Sequence, residues 1–95
     1  MPVLQIEHPI TDLDTWLGAF KNFAAAREQA GVKAQRVWQP SDDPRYIVVD
    51  LEFDSVSAAG NFRDFLQERV WASPDASPGL AGTPRAVIFT GVSAE

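Results

Sequence analysis

His8 is the only histidine in the chain, and it closes the short alternating run VLQIEH. An imidazole titrates near neutrality and can shuttle protons. A general base is usually oriented by a partner, yet strand alternation sends its neighbour Glu7 to the opposite face. The plainer reading is a histidine at a strand end that hydrogen-bonds the adjoining loop. Pro2 offers a secondary amine if Met1 is removed, and that amine could serve as a base; otherwise it is an ordinary residue ahead of a strand. A third group comprises Arg36, Trp38, Tyr46, Asp50 and Glu52. Arg36 can grip a carboxylate or phenolate bidentately. Trp38 and Tyr46 can stack on an aromatic ligand. Asp50 and Glu52, one strand step apart, can perturb each other's protonation. The competing reading pairs Arg36 with Asp50 or Glu52 as an ion pair that sets the register of a dimer. The candidate catalytic residues are therefore His8 and Asp50, and the candidate ligand-binding residues Arg36, Trp38, Tyr46 and Glu52. With one His and no Cys, a metal would need an uncommon ligand set, so neither metal nor cofactor is expected.

The elements that must position these groups are legible from periodicity. Val3 to His8 alternates as a strand, with Leu4, Ile6 and His8 on one face, and Pro9 is expected to end its ladder. Thr11 or Asp12 caps a helix whose stripe is Leu13, Trp16, Leu17, Phe20, Phe23, Ala24 and Arg27, about four turns. Gly31 stops it. Val32 to Gln39 reads as a second strand with Arg36 and Trp38 on one face, and PSDDP (40–44) as a turn. In YIVVDLEF (46–53), Ile47, Val49, Leu51 and Phe53 share one face; Tyr46, Val48, Asp50 and Glu52 share the other. Asp54 or Ser55 caps a second helix with the stripe Val56, Ala59, Phe62, Leu66 and Val70. WASPDASPGLAGTP is loop, with one short helical turn expected near Gly79 to Ala81. It has no basic residue ahead of Arg85 and no phosphate-cradle spacing, and reads as a lid or rim. Arg85 to Val92 is the last strand.

The order β-α-β-β-α-β is the split arrangement of a ferredoxin-like domain: an α+β fold with a four-stranded antiparallel sheet and two helices on one face. It is expected as a single domain over residues 1–95. Both helices are needed over Ile47, Val49, Leu51 and Phe53, so the other face lacks cover within the chain. Such an apolar patch marks an interaction site, and a homodimer joined through its sheets is the expectation.

Composition limits the remaining partners. The chain carries 8 basic and 13 acidic residues, net −5, which argues against a nucleic-acid or anionic-membrane surface. No run approaches the roughly 18 apolar residues of a membrane span, and no basic-then-apolar leader is present. A cytoplasmic location is expected. Packing must supply the stability, and three Trp and six Phe are available for it.

Two stretches, IEHPITDLDTWLGAFKNFAAAREQAGV and DPRYIVVDLEFDSVSAAGNFRDFL, resemble the first strand and helix and the central strand and second helix of the dimeric α+β-barrel proteins. These include antibiotic-biosynthesis-monooxygenase-like and actinobacterial cyclase-like domains. The resemblance implies two sheets that face each other and close a barrel. It also implies activities ranging from cofactor-free oxygenation of polyphenols to haem degradation, polyketide cyclisation, or none. A small-molecule ligand, aromatic or polyketide-like, follows from the same resemblance, as does the alternative of a non-catalytic binding or assembly module. Haem-degrading relatives combine an Asn, a Trp and a His ligand. Here the first strand offers Gln5 and Glu7 instead, and no His follows Trp71, so Trp71 reads as a cap on the core. Tautomerases that begin with proline share the look of MPVLQIE. Their subunits, however, are built around one parallel β-α-β unit, and this chain continues into a second helix and a fourth strand.

Overall fold

The computed structural model describes residues 1–93. Leu4, Ile6 and His8 are buried along β1 (Val3–Pro9), and the residues between them are half-buried, as alternation requires. Pro9 does not interrupt the ladder: it forms the last pair, opposite Tyr46. A missing N–H costs little there, because Pro9 contributes its carbonyl, which accepts from the Ala81 N–H at 3.1 Å.

Asp12 caps α1 (Leu13–Asn22). Its carboxylate accepts from the Thr15 N–H at 2.8 Å and the Thr15 hydroxyl at 2.9 Å. The expected single helix is interrupted at Phe23, where φ −101° and ψ 14° leave the helical region. It resumes as α2 (Ala24–Ala30) and ends at Gly31, whose φ of 89° is left-handed.

The sheet has the order β2-β3-β1-β4 with every pair antiparallel. β2 (Ala34–Trp38) and β4 (Arg85–Phe89) are edge strands and stop short of the expected Val32–Gln39 and Arg85–Val92. Beyond Trp38 a side chain replaces the ladder: the Gln39 amide donates to the Pro44 and Tyr46 carbonyls at 2.9 and 3.2 Å, closing the turn. β3 (Tyr46–Glu52) lies between β2 and β1, and its alternate residues Ile47, Val49 and Leu51 are buried.

Ser55 caps α3 (Val56–Phe65) by accepting from the Ala58 N–H at 3.0 Å. Ala59, Phe62, Leu66 and Val70 are buried, whereas Val56, in the first turn, is exposed. The helix continues as a wide π-type turn over Leu66–Val70, closed by the Trp71 N–H donating to the Leu66 carbonyl at 2.7 Å. No helical turn forms near Gly79 to Ala81. Leu80 makes a β-bridge with Ile10, and the Thr11 N–H donates to the Gly79 carbonyl at 2.8 Å. Positive φ at Gly79 (85°) and Gly82 (76°) is incompatible with a right-handed turn.

The core lies between the helices and the sheet face that carries Leu4, Ile6, Ile47, Val49 and Leu51, with Phe53 just beyond β3. Phe53, Leu4, Ile47 and Leu51 are fully buried, each contributing roughly 1.5–3 kcal/mol. The opposite face has no helix over it. Across it run two rows, Arg36–Asp50–Gln5–Val87 and Trp38–Val48–Glu7–Arg85. Among the described residues, no helix is long and apolar enough to cross a membrane.

Candidate functional site

Register divides the sequence-level candidates between the two faces. Arg36, Trp38, Tyr46, Asp50 and Glu52 share the helix-free face. His8 pairs with Ile47, and Asp50 with Gln5. His8 therefore projects with Ile47 towards the helices, and Asp50 projects the other way. The two candidate proton acceptors are separated by the sheet and cannot reach one ligand inside a subunit.

On the helix-free face Asp50 accepts from the Gln5 amide and from the Trp38 indole N–H, both at 3.0 Å. The Tyr46 hydroxyl donates to Glu7 at 3.0 Å. Lost hydration, reinforced by that bond and by the Glu7 charge, holds the Tyr46 pKa above its ordinary value. Arg36 pairs with neither Asp50 nor Glu52 in the subunit: the ion pair found among the described residues is Lys33–Asp54 at 3.3 Å. Trp38 is 53% exposed. Within one subunit these groups form an open surface.

A concave site that includes one of these candidates, His8, lies on the other face, between sheet and helices. It is a cavity of about 80 Å³. Ile6, His8, Val49 and Leu51 form its floor; Trp16, Phe20, Phe23 and Arg27 one wall; Phe62, Leu66, Val70 and Trp71 the other. Ala76, Ser77, Pro78 and Leu80, from the loop expected to be a rim, close it. Trp16 stacks on Phe20 with centroids 4.9 Å apart and planes inclined by 21°. The Arg27 guanidinium carbon sits 3.6 Å from the Phe20 centroid, and the His8 ring centroid is 6.5 Å from that of Trp16. An aromatic stack thus connects a cation to an imidazole.

His8 is 4% exposed. Its Nδ1–H donates to the Pro9 carbonyl at 2.8 Å, which leaves the lone pair of the neutral ring on Nε2. Nε2 has no partner among the described residues, yet no unpartnered polar side-chain atom is sealed from solvent. Nε2 is therefore an accessible base at the cavity. Burial lowers the His8 pKa, partly opposed by the bond to Pro9, so the ring is held neutral. Stability should register this. Above the ordinary value of 6.5, folded and unfolded chains both hold the residue neutral. As pH falls through 6.5 the unfolded chain takes up a proton that the folded chain does not, and stability declines until the lowered folded pKa is reached. Chemical denaturation from pH 7.5 to 5.5 should show a decline that His8→Asn flattens. An identical slope in the variant would place its origin elsewhere.

Arg27 was legible in the sequence as a cation inside an otherwise apolar helical stripe. The cavity it lines was not, because Trp16, Phe20 and Trp71 read equally well as solid core. Trp71 is half-buried and packs against the core as well as lining the cavity. Pro2 sits at the far end of β1, its carbonyl accepting from the Phe53 N–H at 3.0 Å. Among the described residues no three His, Cys, Asp or Glu side chains are placed to hold a metal ion.

No family model matches the chain, and no curated protein matches its sequence. Solved structures do match over nearly its whole length. SnoaB, a cofactor-independent oxygenase from Streptomyces nogalater, is 16% identical, with 98% of this chain and 94% of that chain covered and a TM-score of 0.71. The ActVA-Orf6 monooxygenase of Streptomyces coelicolor, solved with nanaomycin D, is 22% identical over 99% of this chain and 89% of that chain, with a TM-score of 0.65. An antibiotic biosynthesis monooxygenase is 14% identical over 98% and 100%, with a TM-score of 0.68. The chain has the ferredoxin-like fold of the antibiotic biosynthesis monooxygenase domains.

Proposed function

We propose that this protein binds a small aromatic or polyketide-like compound between sheet and helices and acts on it as a cofactor-independent monooxygenase- or cyclase-like enzyme. The observation that carries the reading is the His8 Nε2, without a partner among the described residues, on the floor of an aromatic-walled cavity. Taking the proton of a phenolic hydroxyl leaves an electron-rich ring that can reduce dioxygen directly. The net conversion of a ring CH2 to C=O consumes one O2, inserts one oxygen atom and releases the other as water with the two hydrogens. No external reductant is needed. Likeness in fold to oxygenases described as cofactor-independent supports this chemistry without fixing the substrate.

At about 80 Å³ the cavity is smaller than the roughly 150 Å³ that holds benzene. Even a one-ring ligand must therefore displace the rim around Ala76 to Pro78. The same volume favours a second reading, a non-catalytic binding or assembly module, in which the space is a packing defect. Oxygen uptake separates the two. With an anthrone and no added cofactor, the enzyme reading expects stoichiometric O2 consumption and quinone, with quenching of Trp16 and Trp71 emission. Quenching without turnover supports a binding module; neither signal supports assembly. The tautomerase alternative gains nothing from Pro2, which is remote from His8 along β1.

We further propose that the chain, as one domain over residues 1–95, forms a homodimer through its helix-free faces. Trp38 and Phe89 are exposed there beside Val48 and Val87, and water contact forfeits about 25 cal/mol per Å² of apolar area. Arg36, which pairs with no carboxylate among the described residues, would answer Asp50 or Glu52 across a twofold axis. Sedimentation should give twice the chain mass at micromolar concentration. Val48→Asp should shift the protein to monomer, and Lys21→Glu, on an exposed helix position, should not. A wild-type monomer would rule the dimer out.

A further inference from the structure

Arg27 is 7% exposed, and no carboxylate among the described residues pairs with it. A buried cation with only neutral partners is costly unless something supplies the missing charge. Part of its role is structural. Nη1 donates to the Phe20 carbonyl at 2.6 Å, satisfying the backbone where α1 breaks, and Nε donates to the Gln35 amide oxygen at 3.0 Å. The Phe20 ring beneath adds a cation–π contact. These contacts use two of five N–H donors. Nη2 has no partner among the described residues and is not sealed off. A residue needed only to cap α1 would not have to present a free donor edge beside an apolar cavity.

We propose that Arg27 is the anchor for an acidic group and that the natural ligand is an aromatic acid, its carboxylate on the guanidinium and its hydroxyl towards His8. This rests on the ligand-binding reading above and narrows it. The stack of Phe20 and Trp16 between cation and imidazole supplies the surface for the ring. A guanidinium and a carboxylate form charge-assisted hydrogen bonds, and the dry walls strengthen them.

The test compares 4-hydroxybenzoate with its methyl ester, which keeps ring and hydroxyl but loses the charge. Tryptophan emission of the full chain reports binding. The wild type should bind the acid at least tenfold more tightly than the ester. Arg27→Gln, whose amide reaches the Nε position and can still donate to Gln35, should bring the ratio close to one. His8→Asn should weaken both ligands by the same factor and leave the ratio intact. If Arg27→Gln does not fold, Arg27→Lys serves: it keeps the charge without the fork and should reduce the ratio several-fold. Equal binding of acid and ester by the wild type overturns the anchor and leaves the cavity reading standing. So does an acid preference that survives substitution of Arg27. No response to either compound overturns both.

Discussion

His8→Asn should lower turnover of a phenolic substrate by about 10²–10⁴, the usual worth of a positioned general base, and move the melting temperature little. The asymmetry follows from the two ring nitrogens. Nδ1–H is committed to the Pro9 carbonyl at 2.8 Å, and an asparagine amide can replace that donor. Nothing in asparagine replaces the Nε2 lone pair. Because the buried ring is held neutral, the substitution removes no charge from the interior. His8→Gln does the reverse, reaching the Nε2 position while giving up the Pro9 bond, and should lose stability as well as activity. Initial rates of oxygen uptake with thermal melts of both variants decide the matter. A rate within about threefold of wild type in His8→Asn would remove His8 from the chemistry.

Gly79→Ala should be among the most damaging single-methyl additions in the chain, lowering stability by about 2–4 kcal/mol. Two penalties coincide. The φ of 85° is one that side chains rarely adopt. An added Cβ would also stand 2.9 Å from the Trp16 backbone nitrogen and 3.1 Å from its Cα, atoms of the first helix that cannot swing aside. For a domain of this size the midpoint should fall by roughly 10–30 °C. The Gly79 carbonyl holds the Thr11 N–H at 2.8 Å, so the rim of the cavity should loosen as well. Gly18→Ala and Gly60→Ala are the controls: both lie within helices, neither Cβ meets an atom within 4 Å, and each should stabilise by about 0.5–1 kcal/mol. A loss of less than about 3 °C in Gly79→Ala would mean that the rim shifts without cost.

Strand faces and helix starts were the most legible part of the fold, since Leu4, Ile6, Ile47, Val49 and Leu51 are written in local periodicity and each cap in side-chain chemistry, Thr11 or Asp12 and Asp54 or Ser55, of which the structure uses Asp12 and Ser55. The break at Phe23 was not, because Phe23 continues the apolar stripe and departs from the helix only in its backbone angles. The division of His8 from Asp50 was also hidden. Alternation gives the faces of each strand separately, and only the pairing of His8 with Ile47 joins the two patterns. Trp38 and Tyr46 have the chemistry of pocket walls but stand on the helix-free face, while the cavity itself is lined by residues whose types are those of any core. Arg27 was the one visible anomaly there, a charge at a buried helical position.

The wide turn at Leu66–Val70 shifts the phase of everything that follows it. On an ordinary α-helix the residue four positions after Leu66 stands one turn below it, and the fifth has rotated away. Here the hydrogen bond spans five residues, from the Trp71 N–H to the Leu66 carbonyl, so Trp71 completes the turn and comes round to the cavity beside Leu66. The chain carries one residue of slack in its helical count, taken up among the exposed Gln67, Glu68 and Arg69. A related sequence one residue shorter in this stretch would present its tryptophan to the same wall from an unbroken helix. Two such chains, matched position by position without a gap here, would run one step out of frame from that tryptophan onward.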